Sequence, residues 1–328
     1  MNNKVSRSMR FGLNIVCALG VLGSAVGVMD VAHAEAPLVR TQAPAFYRTI
    51  VGKWEVTALL DENSPWPESL EVLFPDLSEE QKQALRAKTH LQPQNDFSTI
   101  AYLINTGTKL ILIDAGGRGS APTYGQFFNN MKAAGYRPEQ VDDIYITHMH
   151  GDHIGGLSEN GVRSFPNAIV HADYRELVQW EKLAKKGNEG AKMVVALLKP
   201  YIDAKKYQTF DGDTEFFSGF RAIASHGHTE GHSFYTLESE GRKMVFWGDF
   251  VVNDKVQFEL LDAIPPGEAD PAKGIALRKQ LFAEAAQQAY LIGGAHFSFP
   301  GIGRVRDLGG KYIWVPVDYA AIPAATTK

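Results

Sequence analysis

The sequence predicts a layered α/β fold with its functional site at one rim of the sheets. Apolar runs typical of strands alternate along the chain with segments of helical periodicity. Clusters of histidine and aspartate follow directly after several of these strands, in glycine-containing loops. Loops held by a rigid scaffold often carry the reactive side chains of a protein, so both observations favour the same architecture.

The first part of the predicted domain reads as strands with one excursion. Gly52–Asp61 alternates as a strand does, and the apolar runs Thr99–Ile104 and Lys109–Asp114 flank Asn105-Thr106-Gly107-Thr108, which predicts a hairpin. Between them, Glu62–Pro93 is rich in proline and holds one helical patch, SEEQKQALRAK. The apolar face of this excursion either covers the site or packs against a partner.

The remaining elements alternate between helices and strands. Apolar residues at helical spacing predict a helix over Thr123–Gly135, with proline before it and glycine at its end. The strand DDIYIT then leads directly into His148. Further elements follow: strands at Ala168–His171, Phe220–Ala224, Phe234–Leu237 and MVFWGD, and helices at about Tyr174–Leu198 and Pro271–Leu291.

The first 34 residues have the layout of a secretory signal peptide. Basic residues precede an apolar run from Phe11 to Met29, and Ala32-His33-Ala34 follows as a small-residue cleavage site. A membrane anchor is the alternative, since the run approaches the length of a spanning helix. The cleavage site and the polar Asn14 favour processing. We therefore expect a signal peptide at 1–34, a single domain at 35–328, a secreted or periplasmic location and no stable membrane insertion after processing.

Composition narrows the functional classes further. The 328 residues carry 33 Lys and Arg against 37 Asp and Glu, with no basic block, so nucleic acid is not an expected partner. The single cysteine, Cys17, lies in the predicted signal peptide. A mature chain without thiols has no disulfide and no cysteine ligand, so any metal would be bound by histidine and carboxylate.

The stretch THMHGDHIGG concentrates metal-ligand side chains on one loop. His148 and His150 lie two apart, and Asp152 and His153 follow Gly151, so one segment can serve two adjacent ions. Structural zinc sites usually close the ion with four protein ligands, often cysteine, whereas hydrolytic sites keep a position for water. Three further candidate ligands end other strands: His228 in SHGHTEGH, Asp249 in FWGDF and His296 in GGAHFSFPG.

Together these motifs resemble the metallo-β-lactamase superfamily. The resemblance implies a four-layer αβ/βα sandwich with a binuclear site at the rim between two mixed sheets. It further implies that one ion binds His148, His150 and His228, that the other binds Asp152, His153 and His296, and that Asp249 bridges both. Asp114, in LILIDAGG, matches the family's aspartate behind the ligands.

A narrower resemblance, to the methyl parathion hydrolases and related aryl-lactone (dihydrocoumarin) hydrolases, extends over nearly the whole mature chain. It rests on RTQAPAFYR, AAGYRPEQVDDIYITHMHGDHIGG, ASHGHTEGH and AHFSFPGIGRV. The chain departs from those enzymes after Asp114, where GGRGSAPTYG lacks their bulky aromatic, and at Arg304, where they carry histidine. These departures bear on the leaving-group pocket.

Other residues are assigned supporting or pocket roles. We expect His232 to hydrogen-bond to a ligand, His226 to be structural and His171 to be a core residue. Trp180 matches a pocket tryptophan of the parathion hydrolases, and Phe297 and Phe299 follow a ligand directly, so all three are candidates for the pocket wall. Val252 stands where acyl homoserine lactonases carry a tyrosine, three positions after the bridging aspartate.

The resemblance implies a hydrolase that uses two divalent ions, with zinc expected and manganese, cobalt or iron also compatible with the ligands. A hydroxide shared by the ions, oriented by Asp152 and Asp249, would attack a neutral small-molecule ester, lactone or phosphotriester. Esters with aryl leaving groups are favoured because Val252 offers no proton donor. The alternatives are a quorum-quenching type of lactonase and a non-hydrolytic metal-binding module on the same fold. A homodimer is compatible with the sequence.

Overall fold

The computed structural model describes residues 36–64, 69–91, 97–118 and 124–322. The predicted signal peptide lies outside the described residues. The described residues divide into two units: 36–41, which have no regular structure, and a much larger unit that begins at residue 42. Within the described segments, we find no helix that has both the length and the apolar character needed to span a membrane.

The strands are short and numerous, as the alternating pattern predicts. In chain order they are β1 Phe46–Val51, β2 Trp54–Ser64, β3 Phe97–Asn105, β4 Leu110–Ile113, β5 Asp143–Tyr145, β6 Ser158–Glu159, β7 Val162–Arg163, β8 Ile169–Asp173, β9 Tyr207–Phe210, β10 Thr214–Phe217, β11 Phe220–Ala224, β12 Ser233–Ser239, β13 Arg242–Gly248, β14 Leu291–Gly294, β15 Ile302–Asp307 and β16 Tyr312–Pro316.

The helices are α1 Ser69–Leu73, α2 Glu79–Thr89, α3 Gln126–Ala133, α4 Gly151–Ile154, α5 Tyr174–Lys185, α6 Glu189–Asp203, α7 Asp254–Gln257 and α8 Pro271–Gln288, with a 3₁₀ turn at Pro138–Gln140. The single long helix predicted over Tyr174–Leu198 is wrong. Gly187 has a φ of 91°, which ends α5, and the Asn188 side chain accepts the Ala191 N–H to begin α6.

Two seven-stranded sheets organise the described residues. The first has the order β1-β2-β3-β4-β5-β8-β9 and the second the order β10-β11-β12-β13-β14-β15-β16. Both are mixed: β4, β5, β8 and β9 pair in parallel, as do β13 and β14, while the other pairs are antiparallel. Parallel neighbours end at the same edge, so the loops after β4 and β5 lie at one edge of the first sheet. The loop after β13 of the second sheet meets this edge, since Asp249 Oδ2 lies 3.7 Å from Nε2 of His148, which follows β5.

Three apolar clusters show that these sheets form inner layers. One cluster packs α3 and α6 on the first sheet, through Phe127 and Leu198 among others. A second lies between the sheets, with Tyr102 of β3 against Phe246 of β13 at a ring separation of 5.1 Å. A third packs α8 on the second sheet through Phe282. This order of helix, sheet, sheet and helix confirms the predicted four-layer sandwich.

The proline-rich excursion packs on the body of its own chain. Leu70 of α1, Phe74 directly after it and Leu85 of α2 form a fourth apolar cluster with Val256 of α7 and Ala263. A capping box begins α2, since the Ser78 hydroxyl accepts the Gln81 N–H. The apolar face of the excursion is therefore buried against the segment that follows Asp249, where it supports one side of the rim.

Phe74→Ala should destabilise this docking. Phe74 is 1% exposed, and truncation of a buried phenylalanine costs about 3–5 kcal/mol of unfolding free energy. The matched control is Val72→Ala on α1, two residues before Phe74, because Val72 is 45% exposed and surface changes stay within about 0.5 kcal/mol. Urea unfolding, with hydrogen exchange across residues 69–89, measures both variants. Equal stability of the two variants would contradict the packing.

Candidate metal centre

Loops from both sheets meet at the rim and bring seven predicted side chains together. His148 and His150 follow β5, and Asp152 and His153 lie on α4. His228 lies between β11 and β12, Asp249 directly follows β13, and His296 follows β14. Their ligand atoms form two groups, each with all atoms within 4.8 Å of one another: the first cluster is His148, His150, His228 and Asp249, and the second cluster is Asp152, His153 and His296.

Ring nitrogens within each cluster point at a common centre. In the first cluster, His150 Nδ1 lies 2.8 Å from His148 Nε2 and 3.0 Å from His228 Nε2. In the second, His153 Nε2 lies 3.3 Å from His296 Nε2, and Asp152 Oδ2 lies 3.3 Å from the same His296 atom. Convergent nitrogen and carboxylate oxygens are the donor set of zinc and related divalent ions.

Asp249 lies between the two clusters and contacts both. Its Oδ2 lies 3.4 Å from His228 Nε2, 3.7 Å from His148 Nε2 and 3.2 Å from His296 Nε2. Its Oδ1 lies 2.9 Å from His153 Nε2 and 3.0 Å from His296 Nε2. Within the described part of the chain, Oδ1 is buried and makes no aligned hydrogen bond. A buried carboxylate oxygen without a hydrogen bond is costly, and a bound cation would satisfy it. The residues therefore fit a pair of ions.

Asp114 fixes the loop that carries the first ligands. The residue follows β4 with a φ of 59°, and its Oδ1 accepts the Thr147 N–H at 2.8 Å. Its Oδ2 accepts the Thr147 hydroxyl and the His153 Nδ1–H, each at 2.8 Å. Because Nδ1 of His153 is occupied in this way, its Nε2 lone pair faces the second cluster.

The other histidines are oriented by equivalent contacts. His296 Nδ1–H donates to the Ser98 carbonyl of β3 at 2.8 Å, and Phe97 stacks on the ring at 4.3 Å. His228 Nδ1–H donates to Glu268 Oε1 at 2.8 Å. Carbonyl and carboxylate partners of this kind set the tautomer of a metal-ligating histidine and raise its basicity.

His232 lies behind the ligands. Its Nε2 accepts the Asp249 N–H at 3.1 Å, and its Nδ1–H donates to the Ser225 hydroxyl at 2.7 Å. Gly248 precedes Asp249 with a φ of 53°, and a Cβ there would lie 2.7 Å from His232 Nε2 and 2.9 Å from Thr147 Cβ. Only glycine permits this approach, so the turn places the Asp249 carboxylate between the loops of both sheets.

The electrostatics differ among the histidines of the site. Burial lowers the pKa of His150 to about 3 and that of His148 well below its ordinary value, so both rings are neutral with free lone pairs. Burial also opposes charge on His153, but Asp249, Asp152 and Asp114 outweigh it and hold its pKa well above the ordinary value. The second cluster therefore concentrates negative charge that attracts a proton and would attract a divalent cation more strongly.

The predicted pocket residues occupy different environments. Trp180 lies edge-on to His150, with ring centroids 5.7 Å apart, so it lines the first cluster. Phe299 is partly buried against the cluster between the sheets. Phe297 is 0% exposed and packs on Trp314 at 4.6 Å. This core position differs from the pocket wall expected for Phe297, because the ring turns into the layer between α8 and the second sheet.

Three further residues named from the sequence lie around the site and outside both clusters. Val252 is 4% exposed, and its N–H donates to Gln257 Oε1 at 2.7 Å. His171 is buried, with its Nε2 2.9 Å from Asp143 Oδ1, as a core histidine would be. His226 lies 3.7 Å from Asp173 Oδ2 and belongs to neither cluster.

Sequence reasoning missed two carboxylates that contact the ligand loops, Glu176 and Glu268. Glu268 lies in the loop before α8, 40 residues after its partner His228. Glu176 is 0% exposed on α5 and accepts the Met149 N–H at 2.8 Å. Neither residue stands at a motif spacing, and an acidic residue in a loop or a first helical turn is ordinarily solvated or capping. Only the tertiary contacts reveal them.

Comparison with known proteins decides the family. The family model of the metallo-beta-lactamase superfamily matches residues 95–296, which contain all seven ligand candidates. The chain belongs to the metallo-beta-lactamase superfamily. Hydrolase AbOPH of the beta-lactamase superfamily is 33% identical in sequence and superposes with a TM-score of 0.78, over 86% of this chain and 100% of that one. The chain is thus a hydrolase of this superfamily, as predicted.

Other relatives are more distant. The dizinc quorum-quenching lactonase AidC is 22% identical and has a TM-score of 0.75 over 84% of this chain and 99% of its own, which supports the shared fold. An N-acyl homoserine lactonase of Bacillus thuringiensis is 25% identical over 55% of this chain and 73% of its own length. Two further curated relatives match over only 38% and 45% of their own lengths.

Asp249→Ala should remove one of the two ions. Without the shared carboxylate, each cluster loses a ligand oxygen, and we expect metal content to fall from two ions per chain to about one or fewer, with most turnover lost. Mass spectrometry of metals after dialysis gives the content. Asp211→Ala is the control, because the Asp211 side chain is 73% exposed. Retention of both ions with full turnover would refute the bridging role.

Glu268→Ala should weaken binding at the first cluster alone. Removal of the carboxylate frees the His228 ring to rotate, and loss of such a partner typically costs about 10–100-fold in metal affinity. Glu268→Gln keeps an acceptor oxygen for His228 Nδ1–H and should recover most of the loss. Competition with a fluorescent chelator measures both affinities. Equal affinities for the alanine and glutamine variants would show that the hydrogen bond has no such role.

Proposed function

We propose that the protein is an exported, binuclear metal-dependent hydrolase of neutral small molecules whose leaving group is an aryl oxide. Its substrates would be aryl esters, aryl lactones and organophosphate triesters, as in the methyl parathion hydrolases that the sequence resembles. The observation that carries the proposal is the position of the Asp249 carboxylate between the clusters, with Oδ2 3.4 Å from His228 Nε2 and Oδ1 2.9 Å from His153 Nε2. Zinc is the expected metal, and manganese, cobalt or iron would also suit the ligands.

Each cluster would hold one divalent ion. His148 and His228 would bind through Nε2 and His150 through Nδ1, since these nitrogens converge. His153 and His296 would bind the other ion through Nε2, with Asp152 completing that side. When bound, the ions supply activation of a water nucleophile and Lewis-acid polarisation of a carbonyl or phosphoryl oxygen.

The protein's own groups would prepare the chemistry. Asp249 and Asp152 hold their carboxylates ionised, because burial that opposes charge is outweighed by the neighbouring histidines, which lower both pKa values. Ionised carboxylates can accept hydrogen bonds from a nucleophilic water and fix its orientation. Trp180 and Phe97, which contact the rings of His150 and His296, exclude bulk water from two sides.

The charge of the site favours uncharged substrates. Among the described residues, the ion pairs of the two clusters involve only histidine, aspartate and glutamate, with no lysine or arginine. Phosphomonoesters and nucleic acids require cationic groups to hold their charge. A neutral triester or ester places no such demand on the site.

The segment after Asp249 favours aryl leaving groups. Val252 stands at the position of the lactonase tyrosine, and its buried side chain offers no proton. A phenol or nitrophenol leaves as a stable anion, whereas an alkoxide requires a proton from a general acid. An apolar residue at this position therefore matches the chemistry of good leaving groups.

A lactonase of the quorum-quenching type is the second candidate. The observation in its favour is the similarity to the N-acyl homoserine lactonase of Bacillus thuringiensis, which extends over 73% of that enzyme. The two candidates differ in the leaving group, because an aliphatic lactone releases an alkoxide. The comparison of rates between aryl and aliphatic substrates separates them.

We expect kcat/KM for an aryl phosphotriester or for dihydrocoumarin to exceed that for an acyl homoserine lactone by about tenfold or more, with a β-lactam slowest. Purified protein assayed against all four substrates measures this order. Protein stripped by chelation serves as the control, and zinc, manganese, cobalt and iron are added back separately. An acyl homoserine lactone cleaved as fast as both aryl substrates would replace this proposal with the lactonase assignment.

A further inference from the structure

Glu176 is a fully buried carboxylate in the first turn of α5. It is 0% exposed, and it lies outside both metal clusters. Burial of a charge is expensive unless every lone pair finds a donor, so the position of each donor shows what the group holds in place.

The carboxylate spans the two loops that carry the histidines of the first cluster. Its Oε2 accepts the backbone N–H of Met149, between His148 and His150, at 2.8 Å. Its Oε1 accepts the backbone N–H of Gly231 at 3.0 Å and the hydroxyl of Thr229, which directly follows His228. One loop leaves the first sheet and the other belongs to the second, so a single side chain joins them.

The surrounding geometry indicates a close fit. A Cβ on Gly231 would lie 2.9 Å from Glu176 N and 3.0 Å from its Cγ, so this loop lies directly against the helix. The indole N–H of Trp180, one turn along α5, also points at Oε2, at 3.4 Å. All of these groups are donors, and a carboxylate has acceptors on both oxygens, whereas an amide has an acceptor on only one.

The contacts do not extend to the second cluster. His153 is held by Asp114 at 2.8 Å and His296 by the Ser98 carbonyl at 2.8 Å. Glu176 therefore joins the His148–His150 loop to the His228 loop, beside the backbone hydrogen bond that the Ser233 N–H donates to the Thr147 carbonyl at 2.9 Å. The second cluster has its own supports. Ligand positions must be held to about half an ångström for full affinity.

We propose that Glu176 is a positioning residue that sets the distance between the His148–His150 loop and the His228 loop, and thereby the metal affinity of the first cluster alone. The proposal rests on the binuclear centre proposed above and is independent of the substrate. Loss of Glu176 should reduce binding at one ion site selectively, a pattern that general destabilisation does not produce.

The test measures Co²⁺ affinity and the Co²⁺ absorption spectrum in two backgrounds. His296→Ala leaves the first cluster intact, and His150→Ala leaves the second intact. Glu176→Gln keeps the size of the side chain but turns an amide N–H₂ toward one set of donors. We expect it to lower Co²⁺ affinity about 10–100-fold and to change the spectrum in the His296→Ala background. In the His150→Ala background, both should stay unchanged.

Asp61→Asn is the matched control for stability. Asp61 is also a buried carboxylate, and it accepts the N–H groups of Gly117, Gly125 and Phe127, none of which lies on a loop of the first cluster. It should lower the unfolding temperature as Glu176→Gln does and leave Co²⁺ affinity in the His296→Ala background unchanged. An equal loss of affinity in both variants would overturn the positioning role, as would unchanged affinity in Glu176→Gln.

Thr229→Val provides a second variant if Glu176→Gln does not fold. Valine keeps the shape of threonine and removes only the hydroxyl that donates to Glu176 Oε1. We expect a loss of about threefold to tenfold in Co²⁺ affinity in the His296→Ala background, and unchanged affinity would overturn the proposal. Absence of Co²⁺ binding in both parent backgrounds would instead refute the binuclear centre, which makes the two failures distinguishable.

Discussion

The shared carboxylate of Asp249 is the contact on which the rest of the site depends. It lies between the clusters, with Oδ2 3.4 Å from His228 Nε2 and Oδ1 2.9 Å from His153 Nε2. His296 Nε2 lies 3.0 Å from Oδ1 and 3.2 Å from Oδ2. This requires the end of β13 to lie between loops from both sheets. The glycine before Asp249 permits that turn, and His232 holds the Asp249 backbone in place. The packing of two sheets into one sandwich is thus directly linked to the distance between the clusters.

Carboxylates and carbonyls hold the ligand side chains in place through hydrogen bonds. Asp114 connects the end of β4 to Thr147 and His153, and the Ser98 carbonyl of β3 orients His296. Each partner occupies one nitrogen of a ring and leaves the other directed at a cluster. The sheets therefore determine tautomers as well as positions, and the buried negative charge that results is stable only near a proton or a cation.

The sequence predicted the layered fold and gathered the seven residues of the clusters, because these features depend on local patterns. Strands alternate or form apolar runs, and ligands follow strand ends at short spacings. Helix boundaries were harder to predict. Gly187 and Asn188 split one predicted helix into two, and the sequence did not show this because the helical pattern continues on both sides of the break. Glu176 and Glu268 could not be found at all, because their roles depend on contacts 27 to 55 residues away in the chain.

The position of the Phe297 ring could not be predicted from the sequence either, because adjacency to a ligand does not decide which way a side chain turns. The segment after Asp249 has supports of its own. The guanidinium of Arg278, buried on α8, donates to the carbonyls of Leu261 at 2.8 Å and Ala263 at 3.0 Å. That segment carries Val252 and packs against the excursion of α1 and α2. Because its supports differ from those of Asp114, Glu176 and Glu268, substitutions there can reshape the leaving-group side while the donor atoms keep their positions. Substrate preference can therefore diverge between relatives that keep the same ligand residues.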